Sequence, residues 1–284
     1  MNLLSIDDMS ERQVNEIFTL ATKIKNQNTS HVLKGKHFVL FFPESSLRTR
    51  ITFEKGIKDL GGETTLFPPE TLDKREELKD VIQYLSNWSD GVIIRHADFS
   101  KLQDISTYSN IPIINAMTSE SHPCEILSDL YSISQVRENY KDLVFTFVGP
   151  KSNISRTWKS IAEIMDLRFH QVCMQGFELG TDSRNYSFHT ELEPILKISD
   201  IVLTDSLPNE LRTQIYIDQF QITLERMNLA KEHAMLNPCP PFYRNEEVSN
   251  EALSSSYFVG YEFKKNLIYV QQAIILFCLG IVID

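Results

Sequence analysis

Six consecutive residues, Ser45-Ser46-Leu47-Arg48-Thr49-Arg50, gather the groups that bind an anion. They follow an apolar run, His37 to Phe42, and precede a helical pattern that begins at Ile51. Hydroxyls and guanidinium groups therefore fall between the end of a strand and the start of a helix. Backbone N–H groups at a helix N-terminus lack helical partners and carry partial positive charge, which makes an anion site. Arg48 adds a planar fork suited to phosphate or carboxylate. Ser46 and Thr49 add hydroxyl donors. A capped helix with surface arginines would carry the same residue types.

Further chemistry-bearing residues recur after other apolar runs. Arg95 closes Gly91-Val92-Ile93-Ile94 and is followed by His96. His122 and Glu125 stand three residues apart in His122-Pro123-Cys124-Glu125, so they share one face at the start of a helix. A histidine there feels the positive helix end, which favours neutral imidazole, and neutral imidazole still donates to an oxyanion. Lys74 lies in the charged stretch Lys74 to Asp80. Arg156 opens a helix after Val148-Gly149-Pro150, and Asp205 and Ser206 follow a short apolar run ending at Thr204. Pro238 and Cys239 belong to a proline-rich turn, Asn237-Pro238-Cys239-Pro240-Pro241.

The elements that must position these residues alternate. Strands are expected at His37–Phe42, Thr64–Phe67, Gly91–Arg95 and Ile111–Asn115, and then at Leu143–Val148, His170–Met174, Ile201–Thr204 and Ala234–Leu236. A first helix, capped by Asp8 or Ser10, carries Val14, Ile17, Phe18, Ala21 and Ile24 at helical spacing. Other helices are expected near Ile51–Leu60, Glu76–Trp88, Pro123–Gln135, Ser155–Met165, Glu210–Phe220 and Tyr261–Leu279. Two rounds of strand–helix alternation imply an α/β chain of two Rossmann-like lobes with parallel sheets. Ligands in such lobes sit at the carboxyl ends of strands, where nearly every unusual residue falls.

Composition sets outer bounds. The chain has 284 residues, 42% hydrophobic and 23% charged, enough for two domains with real cores. Its formal net charge of -10 argues against nucleic acid or an anionic membrane as partner. Four cysteines, none in a metal-type spacing, are expected to be reduced thiols, which fits a cytoplasmic protein, and no metal site is expected. Met1 to Asp8 lacks the features of a signal peptide. The apolar run Ala273 to Ile283 is too short for a membrane span and reads as a buried helix.

The string Phe42-Pro43-Glu44-Ser45-Ser46-Leu47-Arg48-Thr49-Arg50 resembles the carbamoyl-phosphate motif of the aspartate/ornithine carbamoyltransferase family. Leu47 is similar to the residue of the acetylornithine and succinylornithine branches. His122-Pro123-Cys124-Glu125 resembles the family's His-Pro-x-Gln, with Glu125 in place of Gln. An ionised Glu offers only acceptors, where Gln offers both a donor and acceptors. Lys74 falls on the phosphate-binding lysine of a loop that aspartate enzymes lend to a neighbouring subunit. Arg156 falls on their α-carboxylate arginine. Thr204-Asp205 is similar to the ornithine enzymes, whose Asp holds the α-amino group. Neither the Arg-x-Gln clamp of the aspartate branch nor the Ser-Met-Gly loop of the ornithine branch is present. Asn237 to Pro241 resembles the family's His-Pro-Leu-Pro segment, which implies a cis peptide before Pro240 and backbone carbonyls of Pro238 and Cys239 aimed at the carbamoyl NH2.

The resemblance covers nearly the whole chain. It implies a carbamoyl-phosphate domain over residues 1–135, an amino-acid domain over 136–261, bridging helices, and a last helix, about 262–284, packed back on the first domain. It implies transfer of a carbamoyl group from carbamoyl phosphate to the amine of a small amino acid. Ser46, Leu47, Arg48, Thr49, Lys74, Arg95, His122, Glu125, Pro238 and Cys239 would hold carbamoyl phosphate. Arg48, Thr49, Arg95 and His122 would carry the chemistry, and Arg156, Asp205 and Ser206 would hold the amino acid. No cofactor is implied, and the assembly would be a homotrimer with shared sites. Ornithine or another diamino acid fits Asp205; aspartate stays open through Arg156 and the Lys74 loop. A non-catalytic relative that only binds phosphate ligands or a partner is the other class, and a nucleotide-binding dehydrogenase is disfavoured because no G-x-G-x-x-G follows a strand.

Overall fold

A computed structural model describes residues 1–283. Nine strands are present among the described residues: β1 (His37–Phe41), β2 (Glu63–Phe67), β3 (Gly91–Arg95), β4 (Ile113–Met117), β5 (Val144–Val148), β6 (Arg168–Val172), β7 (Tyr186–His189), β8 (Ile201–Thr204) and β9 (Met235–Pro238). The α-helices are α1 (Glu11–Asn26), α2 (Leu47–Asp59), α3 (Leu78–Leu85), α4 (Phe99–Tyr108), α5 (Pro123–Val136), α6 (Asn153–Met165), α7 (Leu192–Leu196), α8 (Gln214–Phe220), α9 (Leu224–Met227), α10 (Asn250–Leu253), α11 (Gly260–Lys264) and α12 (Leu267–Leu279). The chain divides into two compact units. One holds Met1–Ser132 and the segment from Lys265 onward; the other holds Ile133–Lys264.

The first unit is built on a four-stranded sheet in the order β2-β1-β3-β4, every pair parallel. Central strands of a parallel sheet are covered on both faces, so they read as continuous apolar runs. Val92, Ile93 and Ile94 of β3 are buried accordingly, whereas edge strand β2 alternates between exposed and half-buried residues. The capping box of Ser10 and Gln13 starts α1, which buries Val14, Ile17, Phe18, Ala21 and Ile24 along one face. Helix α12 is apolar on nearly all sides and buried, and it belongs to this unit. Its Gln272 donates to the carbonyl of Gly56 on α2 at 2.8 Å. No helix among the described residues is long and apolar enough to cross a membrane.

The second unit is built on a five-stranded parallel sheet in the order β7-β6-β5-β8-β9. Central β5 is buried at every residue. A buried Gln171 on β6 donates to the carbonyls of Gly149 and Phe177 at 3.0 and 2.9 Å and accepts from the Tyr186 hydroxyl at 2.8 Å. This amide ties the loops after β5 and β6 together, beside the bond from the Lys151 N–H to the Phe177 carbonyl at 3.1 Å.

The two-lobed parallel α/β architecture matches the expectation, with several local departures. Helix α2 starts four residues before Ile51, so Leu47 to Arg50 form its first turn. The expected strand at Ile111–Asn115 runs two residues later. The expected helix Glu210–Phe220 is a short 3-10 turn at Asn209–Leu211 followed by α8. The expected last helix is two helices, α11 and α12. Strand β7 and helices α4, α7, α9 and α10 are additions to the expected set. The cis peptide lies between Pro240 and Pro241, not before Pro240. In a Pro-Pro pair both preceding bonds are tertiary amides with a small cis cost, so a motif offset by one residue cannot tell them apart.

Candidate active site

In the first unit the expected residues stand at the carboxyl ends of β1, β3 and β4. Ser46 occupies the N-cap of α2 but makes no side-chain capping bond. Its hydroxyl instead accepts from Arg95 Nη1 at 3.0 Å. Ser46 and Thr49 are buried, whereas Leu47 and Arg48 are exposed. The first turn of α2 therefore presents its backbone donors beside one buried hydroxyl pair and one solvent-facing guanidinium. Arg50 is paired along the helix with Glu54 at 3.0 Å, which leaves it a supporting part.

Arg95 reaches Ser46 from β3, the neighbour of β1 in the sheet, and the β3–β4 register shifts beside it. Ile94 pairs with Asn115, but Arg95 pairs with Met117, so Ala116 is the extra residue of a bulge. A bulge turns the strand and re-aims the side chains beside it. A cleft of about 470 Å³ adjoins this place, lined by Pro43, Pro69, Asp73, Arg95, His96 and Met117, among others.

His122 is placed by a tight turn between β4 and α5. Thr118 N–H donates to the carbonyl of Ser121 at 2.9 Å, and Asn115 Nδ2 donates to Ser121 Oγ at 3.0 Å and to the Leu4 carbonyl at 2.8 Å. Asn115 is a buried polar residue inside an apolar strand, and that mismatch was the sequence signal for its positioning part. His122 and Glu125 are both buried at the start of α5. Lys74 is exposed on a stretch without helix or strand, just after the turn Pro69–Asp73.

In the second unit, Thr204 Oγ1 donates to the Val148 carbonyl at 2.6 Å, tying the end of β8 to the end of β5. The Asp205 carboxylate accepts from the Ser206 N–H at 2.8 Å, and both residues are half-buried. Cys239 N–H donates to the Thr204 carbonyl at 2.8 Å, and Pro238 pairs with Thr204 in register. Asp205, Ser206, Pro238 and Cys239 thus share one end of the β8–β9 pair. Arg156 is exposed near the start of α6.

Sequence reasoning passed over Arg212. Its Nε donates to the Leu207 carbonyl at 3.0 Å and lies 3.2 Å from Glu246 Oε2, and its guanidinium stacks 4.9 Å from the centre of the Tyr243 ring. Glu247 is also buried here, accepting from the Tyr243 N–H. Burial pushes the Glu247 carboxyl up to about 7, and the nearby Glu246 and Asp205 add to the rise.

The profile of the aspartate/ornithine carbamoyltransferase carbamoyl-P binding domain matches residues 1–135, and that of the Asp/Orn binding domain matches residues 141–278. The chain belongs to the aspartate/ornithine carbamoyltransferase family. It carries both domains of that family and is accordingly a carbamoyltransferase. An ornithine carbamoyltransferase of Ralstonia nicotianae is 30% identical over 270 residues, covering 90% of this chain and 87% of that protein. One of Syntrophotalea carbinolica is 27% identical over 299 residues, covering 96% and 97%. The crystal structure of ornithine carbamoyltransferase from Burkholderia thailandensis superposes with a TM-score of 0.89 at 27% identity, covering 98% of each chain. Carbamoyltransferase architecture thus extends over the full described length.

Proposed function

We propose that this carbamoyltransferase moves the carbamoyl group of carbamoyl phosphate onto an amine of ornithine or another diamino acid and releases inorganic phosphate. The observation that carries the reading is the Ser46 hydroxyl, withheld from helix capping and bonded to Arg95 at the N-terminus of α2. Ser46, Arg48, Thr49 and the first backbone N–H groups of α2 bind the phosphate, with Lys74 as a further cation. Arg95 bridges the phosphate and the carbonyl oxygen.

An uncharged amine attacks the carbonyl carbon and builds a tetrahedral centre with an oxyanion. Donors from Thr49, Arg95 and His122 stabilise that oxygen as its charge develops. The C–O bond to phosphate then breaks, and the departing phosphate takes the proton of the amine. Backbone carbonyls of Pro238 and Cys239 accept from the carbamoyl NH2. Glu125 adds an acceptor for the same group.

On the acceptor side, Arg156 binds the α-carboxylate, and Asp205 with Ser206 binds the α-amino group. Several relatives are named ornithine carbamoyltransferases, which supports the diamino acid. The exposed arginine on α6 and the Lys74 segment favour aspartate as the second reading. The working assembly is a cytoplasmic homotrimer in which Lys74 serves a neighbouring site.

Phosphate release from carbamoyl phosphate, measured with ornithine, shorter diamino acids, acylated ornithines and aspartate, tests the assignment against an Arg48→Ala control. Release that depends on a diamino acid and falls about a hundredfold or more in the control supports it. Release with aspartate alone transfers the chain to the second reading. A fold stabilised by carbamoyl phosphate but without turnover on any acceptor would return the non-catalytic alternative.

A further inference from the structure

Asp73 ends the turn that leads into Lys74, and its carboxylate is held from two sides. It accepts from His96 Nε2 at 3.1 Å and from Lys101 Nζ. Lys101 also reaches the Leu72 carbonyl at 3.5 Å. The orientation of His96 is set in turn. The Asp98 N–H donates to His96 Nδ1 at 3.0 Å, so the ring proton is assigned to Nε2, which faces Asp73. Asp98 caps α4 by accepting from the Ser100 N–H at 2.9 Å. The His96 backbone N–H donates to the Met117 carbonyl at 3.1 Å, next to the register shift between β3 and β4. Three elements therefore meet at one carboxylate: the end of β3, the start of α4 and the turn before Lys74.

Lys74 itself has no such anchor. It is exposed, on a stretch without regular structure. A lysine is a point charge on a flexible four-carbon stem, so its reach depends on where its backbone is fixed. Every degree of freedom in that backbone dilutes the ammonium at the phosphate.

We propose that Asp73 and His96 are positioning residues that clasp the Lys74 segment to the end of β3, and so set the position from which Lys74 reaches the phosphate of carbamoyl phosphate. Neither residue touches substrate. His96 acts through Asp73, and Asp73 acts through Lys74. The inference rests on the assignment of Lys74 to phosphate made above.

The test is steady-state kinetics on the full chain for Asp73→Ala, Lys74→Ala and the double variant. His96→Ala and His96→Gln accompany them, because Gln keeps a donor for Asp73. The expected result is a rise of about tenfold in KM for carbamoyl phosphate in Asp73→Ala, with KM for the acceptor unchanged. The double variant is expected to be no worse than Lys74→Ala, and His96→Gln to recover most of what His96→Ala loses. Additive losses in the double variant, or a lowered melting temperature with unchanged KM, would overturn the clasp. An unchanged KM in Lys74→Ala, while Arg48→Ala lowers kcat/KM by about a hundredfold or more, removes Lys74 from the phosphate site and the clasp with it. A kcat/KM in Arg48→Ala close to that of the wild type is the separate failure of the phosphate-site assignment itself.

Discussion

Ser46 occupies the place where a serine ordinarily caps a helix, yet its hydroxyl is turned to Arg95. Replacing an N-cap serine costs about 1 kcal/mol when the cap bond exists. Here that bond is not made, and the hydroxyl accepts from Arg95 instead, as the proposed phosphate site requires. Arg48 is exposed in the same turn and supplies a fork rather than a point charge. Arg48→Ala is expected to lower kcat/KM about 10²–10³-fold, as for loss of one preorganised donor. Arg48→Lys is expected to remain roughly tenfold below wild type, because the ammonium cannot donate in parallel to two phosphate oxygens. Steady-state phosphate release reads both.

Glu247 gives a pH prediction at the same scale. Burial raises its carboxyl from 4.5 to about 7 in the fold. Between these values the folded chain keeps a proton that the unfolded chain has released, so stability falls as pH rises through the window and levels off above it. Glu247→Gln keeps an acceptor for the Tyr243 N–H and has no charge to lose. Wild type is expected to lose on the order of 1–3 kcal/mol relative to Glu247→Gln between about pH 5 and about pH 7.5, as followed by urea unfolding. Equal pH slopes in the two proteins would show that another group titrates.

Among elements, the packing of α12 on α2 is close at Gly56. A Cβ at Gly56 would stand 3.2 Å from Gln272 Cγ and 3.4 Å from Ile268 Cγ1, and the Gly56 carbonyl accepts from Gln272. Gly56→Leu is expected to cost about 1–3 kcal/mol by overpacking, measured by urea unfolding. Elements were unevenly legible beforehand. The cores of β1, β3 and β8 are uninterrupted apolar runs, and β5 is broken only by the buried Thr146, which is the mark of strands covered on both faces. Strand β7 is four residues long and half polar, and α4 carries Phe99, Leu102 and Ile105 among polar residues, so neither stands out as the apolar runs do. The start of α2 was placed too late because Leu47, Arg48 and Thr49 read as site residues, although a first turn accepts all three.

At the scale of the whole molecule, the proposed homotrimer makes a prediction that a single chain cannot. If Lys74 serves a neighbour's site, mixing unfolded Arg48→Ala and Lys74→Ala chains and refolding them together rebuilds intact sites from two defective partners. An equal mixture is expected to recover about one quarter of wild-type activity, with the mass of a trimer by light scattering. No recovery above the separate variants, in a mixture of the same mass, would place Lys74 in its own chain's site.

What the sequence by itself determined is local: a doubly repeated strand–helix alternation, the capping box of α1, and hydroxyls and guanidinium groups gathered where a strand yields to a helix. Periodicity and caps depend on neighbours within a few residues, so they survive without a fold. Tertiary structure alone decided which strand ends meet. The sheet order β2-β1-β3-β4 sets β1 beside β3, and only then does Arg95 reach Ser46, 49 residues earlier in the chain. The extra residue Ala116 shifts the register beside Arg95, and the Asp73–His96 bond closes over 23 residues. Such contacts are fixed by sheet order and register, which arise from the packing of the whole lobe and leave no periodic trace in the residues themselves.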